Sequence, residues 1–85
     1  MNPKVVKETI VLLGILNTPH IFSLFNDGTL QLSYTNTTTL YLRNDPSISS
    51  DFSVAGKPRL VIKSQEEDWV LKCASKEEVL EWLDM

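Results

Sequence analysis

At 85 residues the chain allows one domain and one small core, since a chain of this size buries only about 60–65% of its unfolded surface. Hydrophobic residues make up 42% and charged residues 22%, which is too apolar for a disordered chain and ordinary for a folded one. The net charge is −3 and the 8 basic residues are scattered, so no broad positive field is available and a nucleic-acid partner is not expected.

Cys73 is the single cysteine, so an intrachain disulfide or a cysteine-based zinc cluster is impossible, and a reducing, cytoplasmic setting fits best. The longest apolar run, Ile10 to Leu16 around Gly14, is far short of the roughly 20 residues that a membrane-spanning helix needs. The start lacks the order of a signal peptide, so the chain is expected neither to cross a membrane nor to enter the secretory route. Asn36-Thr37-Thr38 matches a glycosylation acceptor and is read as a polar turn.

In chain order, Pro3 to Leu16 is ambiguous. Asn2-Pro3 can start a helix, and positions 5, 6, 10, 13 and 16 fall on one helical face. Val5, Val6, Ile10, Val11, Thr9 and the mid-segment Gly14 favour instead a buried strand over roughly residues 8–16, which is the reading adopted. Ile21 to Phe25 leads into Asn26-Asp27-Gly28-Thr29, where Asp-Gly supplies the positive φ angles of a tight hairpin turn. Leu30, Leu32 and Tyr34 alternate with Gln31 and Ser33, which puts one face inward. After a polar loop at Thr35 to Thr37, Leu40 and Leu42 alternate with Thr39, Tyr41 and Arg43. Asn44-Asp45-Pro46-Ser47 breaks the pattern, and Phe52 with Val54 predict a short strand before Ala55-Gly56-Lys57-Pro58. Leu60 and Ile62 then point inward from a sixth strand, and Trp69, Leu71 and Cys73 from a seventh, across a charged turn at Gln65-Glu66-Glu67. Ser75 with Glu78 forms a capping box, Ala74 and Val79 sit at staple positions, and Val79, Leu80, Trp82 and Leu83 make an apolar stripe. Lys76, Glu77, Glu81 and Asp84 face water, so one helix beginning at Ser75 or Lys76 closes a chain that is otherwise β.

The residues able to carry chemistry are few. His20 has no second histidine with which to share a metal or activate a nucleophile, and reads as a surface or turn residue. Cys73 alternates with Leu71 and reads as a buried structural thiol. Glu66-Glu67-Asp68 reads as a solvated hairpin turn rather than a cation site, and Trp69 and Trp82 as core. There is no phosphate loop, nucleophile elbow or glycosidase-like carboxylate pair, so no enzyme, no cofactor and no metal are expected.

A strand ending Val70-Leu71-Lys72-Cys73-Ala74-Ser75, followed by Lys76-Glu77-Glu78 and an inward Trp82, is similar to the end of a pleckstrin homology (PH) domain. Ile21 to Leu30 looks like the second and third strands of that family, and Phe52-Ser53-Val54 with Lys57-Pro58 like the approach to its sixth. The resemblance covers roughly residues 10–83 and implies a single PH-like domain over residues 1–85: mostly β with one C-terminal α-helix, a bent seven-stranded antiparallel barrel or sandwich capped by the helix. Family members often bind phosphoinositides through cations where the first two strands meet. Here that junction, Leu16-Asn17-Thr18-Pro19-His20, has no lysine or arginine to carry over. Leu24 to Thr29 with Leu40-Tyr41-Leu42 also resembles a polo-box module, which binds phosphopeptides or centriolar partners and whose helix normally follows six strands.

The expected function is a non-catalytic interaction module that recruits a protein or peptide partner, in signalling or as an adaptor or scaffold. The face carrying Tyr41 and Arg43 is the candidate binding site, because the ring gives rigid apolar area and the guanidinium grips carboxylate or phosphate. Binding to a membrane lipid is the alternative, through Lys4, Lys7 and Lys57 first, with Arg59, Lys63 and Lys72 as possible additions.

Overall fold

The computed structural model describes residues 2–65 and 67–84. Strand β1 (Val5–Leu13) runs into β2 (Thr18–Phe25), so the N-terminal segment is a strand and not a helix. It starts earlier and ends earlier than residues 8–16. Gly14 (φ 75°) and Asn17 (φ 52°) turn the chain, and the Asn17 amide donates to the Gly14 carbonyl at 3.2 Å. Ile15 and Leu16 therefore sit on a hairpin tip rather than in a strand.

The hairpin from β2 to β3 (Thr29–Ser33) lies where Asp-Gly placed it, but only Gly28, at φ 82°, takes a positive angle. Asp27 instead caps the turn, its Oδ1 accepting from the Thr29 amide at 3.1 Å and the Thr29 hydroxyl at 2.7 Å. Strand β4 (Thr37–Tyr41) ends in a 3₁₀ turn (Leu42–Asn44), which Asp45 closes at φ 55°. Arg43 thus leaves the strand register it was expected to share with Tyr41. Strand β5 is Ser47–Asp51, and Phe52 and Val54 lie in the loop after it. This strand was masked by its polar residues: it pairs residue for residue with β6 (Arg59–Lys63), yet only Ile48 packs against the core from it. Strand β7 is Asp68–Lys72 and helix α1 is Lys76–Leu83.

The seven strands form one antiparallel sheet in the order β4-β3-β2-β1-β7-β6-β5. Its two halves meet at one paired position, Leu12 with Lys72. The sheet keeps two edges, β4 and β5, so strand pairing does not close it into a complete barrel. Alternation along the strands sends Val11, Phe22, Leu30, Leu32, Leu40, Leu60, Ile62, Trp69 and Leu71 inward. Those side chains form one core with Cys73, Val79 and Trp82, in which Phe22 lies 4.4 Å from the Trp82 ring and 6.2 Å, edge-on, from Trp69.

Helix α1 plugs this core from the side of β5 and β6. The Ser75 hydroxyl accepts from the Glu78 amide at 3.2 Å, which is half of the expected capping box. The Glu78 carboxylate accepts a hydrogen bond from the Thr9 hydroxyl, tying the helix to β1. Lys7 pairs with Glu81 at 3.4 Å and lies 4.9 Å over the Trp82 ring. Leu80, expected in the apolar stripe, is about half exposed, and Val79 and Trp82 are the residues the helix buries fully.

Candidate functional site

Edge strand β4 has a neighbour on one side only, β3, to which it is joined from Thr29–Tyr41 to Ser33–Thr37. Its other side carries backbone donors and acceptors that no strand among the described residues meets, a standing template for an extended peptide. A cleft of about 340 Å³ opens there, lined by Thr39, Tyr41, Arg43, Pro46, Ser64 and Gln65 among others. The 3₁₀ turn forms one wall and the loop after β6, at Ser64 and Gln65, the other. Tyr41 is 40% exposed, and the Arg43 guanidinium carbon stands 4.6 Å over its ring. The turn brings Arg43 onto the ring from a different direction than strand alternation implied, and the pairing of the two residues results all the same. The stack restricts both side chains in advance of binding and leaves the donor fork of Arg43 on an exposed residue beside the open strand edge.

The lysines considered for lipid are not equivalent. Lys7 is held between Glu81 and Trp82. The Lys4 amide donates to Asn26 Oδ1 at 3.0 Å, which pins the start of β1 beside the β2–β3 turn. Lys57 lies exposed in the β5–β6 loop, where its amide reaches the Val54 carbonyl at 3.2 Å. Lys72 is turned onto the β1–β2 turn, with its ammonium 2.8 Å from the Gly14 carbonyl and 2.7 Å from Asn17 Oδ1.

His20 is a half-buried β2 residue, not a turn residue: Nδ1 lies 3.0 Å from the Thr18 carbonyl and the ring packs 5.3 Å from Tyr34. Cys73 is buried and its thiol donates to the Leu71 carbonyl at 3.7 Å. Burial, with the negative charge of Glu78 adding to it, pushes that thiol up to about 11. Of the acidic turn, Glu66 lies outside the described residues, and Glu67 accepts from the Trp69 indole at 3.1 Å. Among the described residues, no three His, Cys, Asp or Glu side chains converge as a metal site, and no helix is long and apolar enough to cross a membrane.

Two other hollows flank α1. One of about 330 Å³ runs between the β5–β6 loop and the helix start, where Lys76 lies 4.8 Å over the Phe52 ring. The other lies among Lys7, Thr9, Glu78 and Glu81. Sequence reasoning missed a further feature altogether: Ile15 and Leu16 are 98% and 88% exposed. Gly14 and Asn17 bracketing two residues were the available signal.

No family model, curated protein or solved structure matches this chain.

Proposed function

We propose that this chain is a non-catalytic, PH-like interaction module that takes up an extended peptide along the free edge of β4. An acidic or phosphorylated side chain of the peptide would sit against Arg43. The observation that carries this reading is the coincidence of an unpaired strand edge, a cleft, and a stacked Tyr41–Arg43 pair at its mouth. Strand addition gives affinity through backbone hydrogen bonds, and the cation next to the edge gives register and selectivity. A seven-stranded antiparallel sheet followed by one C-terminal helix supports the PH-like reading over the polo-box one, which calls for six strands. The engagement of Lys7 and Lys72 within the chain favours a peptide over a phosphoinositide surface.

The test is a panel of extended peptides, with and without acidic or phosphorylated residues, titrated while backbone amides are followed by NMR. Binding should shift the Thr37–Tyr41 amides. Tyr41→Ala with Arg43→Ala should weaken it at least tenfold without changing the melting temperature, both side chains being exposed. Equal affinity in the double variant, or saturable phosphoinositide binding at physiological salt, overturns the proposal.

A further inference from the structure

The outer face of the β1–β2 hairpin is aliphatic where a solvated strand face should be polar. Opposed residues of an antiparallel pair share a face, so the pairs Ile10–Ile21 and Leu12–Pro19 place four apolar residues side by side on the outside. Ile10 is 64% and Ile21 45% exposed, and the strip continues directly into Ile15 and Leu16 on the tip. These aliphatic side chains expose an area on the order of 500 Å², near the upper end of what a monomeric domain leaves uncovered.

The polar groups around the strip are already satisfied within the chain. Ser23, opposite Glu8, donates to its carboxylate at 2.9 Å. Ser33, opposite Ile21, shares a hydrogen bond of 3.1 Å with Thr37. Lys72, opposite Leu12, donates to the neutral Gly14 carbonyl and Asn17 Oδ1, which holds its ammonium at the turn and leaves its charge unmatched by a carboxylate among the described residues. A partner here meets an apolar surface that asks for no new hydrogen bonds.

We infer that this face is a two-fold interface between copies of the chain, with the β1–β2 hairpins packed antiparallel. Charge selects this occupant. Glu8 stands at one end of the strip and Lys72 beside Leu12, about 13 Å further along the strand at 3.3 Å per residue. A two-fold axis across the strip sets each Glu8 toward the partner's Lys72, so the surface is complementary to itself. A bilayer suits it less well, since the net charge is −3 and the exposed Glu8 carboxylate stands at the end of the strip. Two such faces of about 500 Å² each fall at the small end of specific interfaces, below about 1,200 Å² in total, which is the range of weak, reversible association.

The experiment is sedimentation across a dilution series on three proteins: the unaltered chain, Ile15→Asp with Leu16→Asp, and Tyr41→Ala with Arg43→Ala. The unaltered chain should approach twice its 9.6 kDa mass at high micromolar concentration and fall to monomer on dilution. The tip variant should stay monomeric throughout with an unchanged circular dichroism spectrum, because both residues project into solvent. The Tyr41–Arg43 variant should dimerise normally, which separates this surface from the peptide site. A monomeric unaltered chain, a dimer that survives the tip substitutions, a dimer lost only in the Tyr41–Arg43 variant, or vesicle binding by the monomer through the same tip would each overturn the inference.

Discussion

Replacing Trp82 by alanine and by phenylalanine separates what its bulk contributes from what its polar atom costs. Trp82 is fully buried, packs at 4.4 Å from Phe22, and is covered by Lys7 at 4.9 Å. Its indole Nε1 is buried with no hydrogen-bond partner among the described residues. Trp82→Ala removes the plug that closes the core and should cost about 3–5 kcal/mol, a large share of the roughly 5–10 kcal/mol expected of a domain this small. Trp82→Phe loses the pyrrole part of the ring, worth about 1–2 kcal/mol of apolar burial. It also removes a donor whose unmet desolvation costs about 1–3 kcal/mol. The two terms oppose each other, and the phenylalanine variant should lie within about 1 kcal/mol of the unaltered chain. Equilibrium urea unfolding followed by the fluorescence of Trp69, which stays in the core in both variants, measures the difference. If phenylalanine costs as much as alanine, the indole N–H has a partner that matters and the account of the plug is wrong.

Two further perturbations test the helix and the thiol. Ser75→Ala removes the oxygen that accepts from the Glu78 amide and should cost about 1 kcal/mol in the same urea experiment, with faster amide exchange in the first turn of α1. Cys73 should resist alkylation in the native state, because raising its pKa from 9.0 to about 11 leaves on the order of a hundredth of the usual thiolate at pH 8. The folded pKa is the higher one, so the stabilisation is fully present below pH 9 and is lost as pH rises toward about 11. Native labelling at pH 8 as fast as that of the urea-unfolded chain would contradict the burial.

The parts of the fold that were legible are those where one period dominates and punctuation is strong. Leu60 and Ile62, then Trp69, Leu71 and Cys73, alternate without interruption and are all buried. Ser75 caps the helix it was expected to cap. The failures have local causes. Strand β5 carries one core residue among polar neighbours, so its pairing is held by backbone bonds to β6 that leave no trace in hydropathy. Phe52 and Val54, the apolar residues that suggested the strand, line the hollow beside α1 instead. Leu42 and Arg43 continue the alternation of β4 on paper, yet the 3₁₀ turn takes them out of it. The candidate site was half legible: the residue types at Tyr41 and Arg43 could be chosen from the sequence, whereas the free edge beside them follows from which strands end the sheet. The Ile10 to Leu16 run was read as buried because apolar runs usually are, and register decides otherwise, since pairing with β2 turns Ile10 and Leu12 outward and Val11 inward.

The same register explains why one hairpin can be both a structural seam and an exposed surface. The two halves of the sheet share one paired position, Leu12 with Lys72, so backbone bonding alone gives a narrow join. The inner face strengthens it, with Val11 fully buried and Thr9 and Lys7 tied to Glu78 and Glu81 of α1. Lys72 strengthens it from the outside by bonding both ends of the β1–β2 turn, and charge-assisted bonds of this kind are among the stronger hydrogen bonds a chain makes. Those bonds set the turn conformation that directs Ile15 and Leu16 into solvent. The free edge of β4 lies three strands away from this seam, beyond β2 and β3. A peptide added to β4 extends the sheet at its end and leaves the seam, the plug and the aliphatic strip as they are, so a single chain of this size can present two independent surfaces.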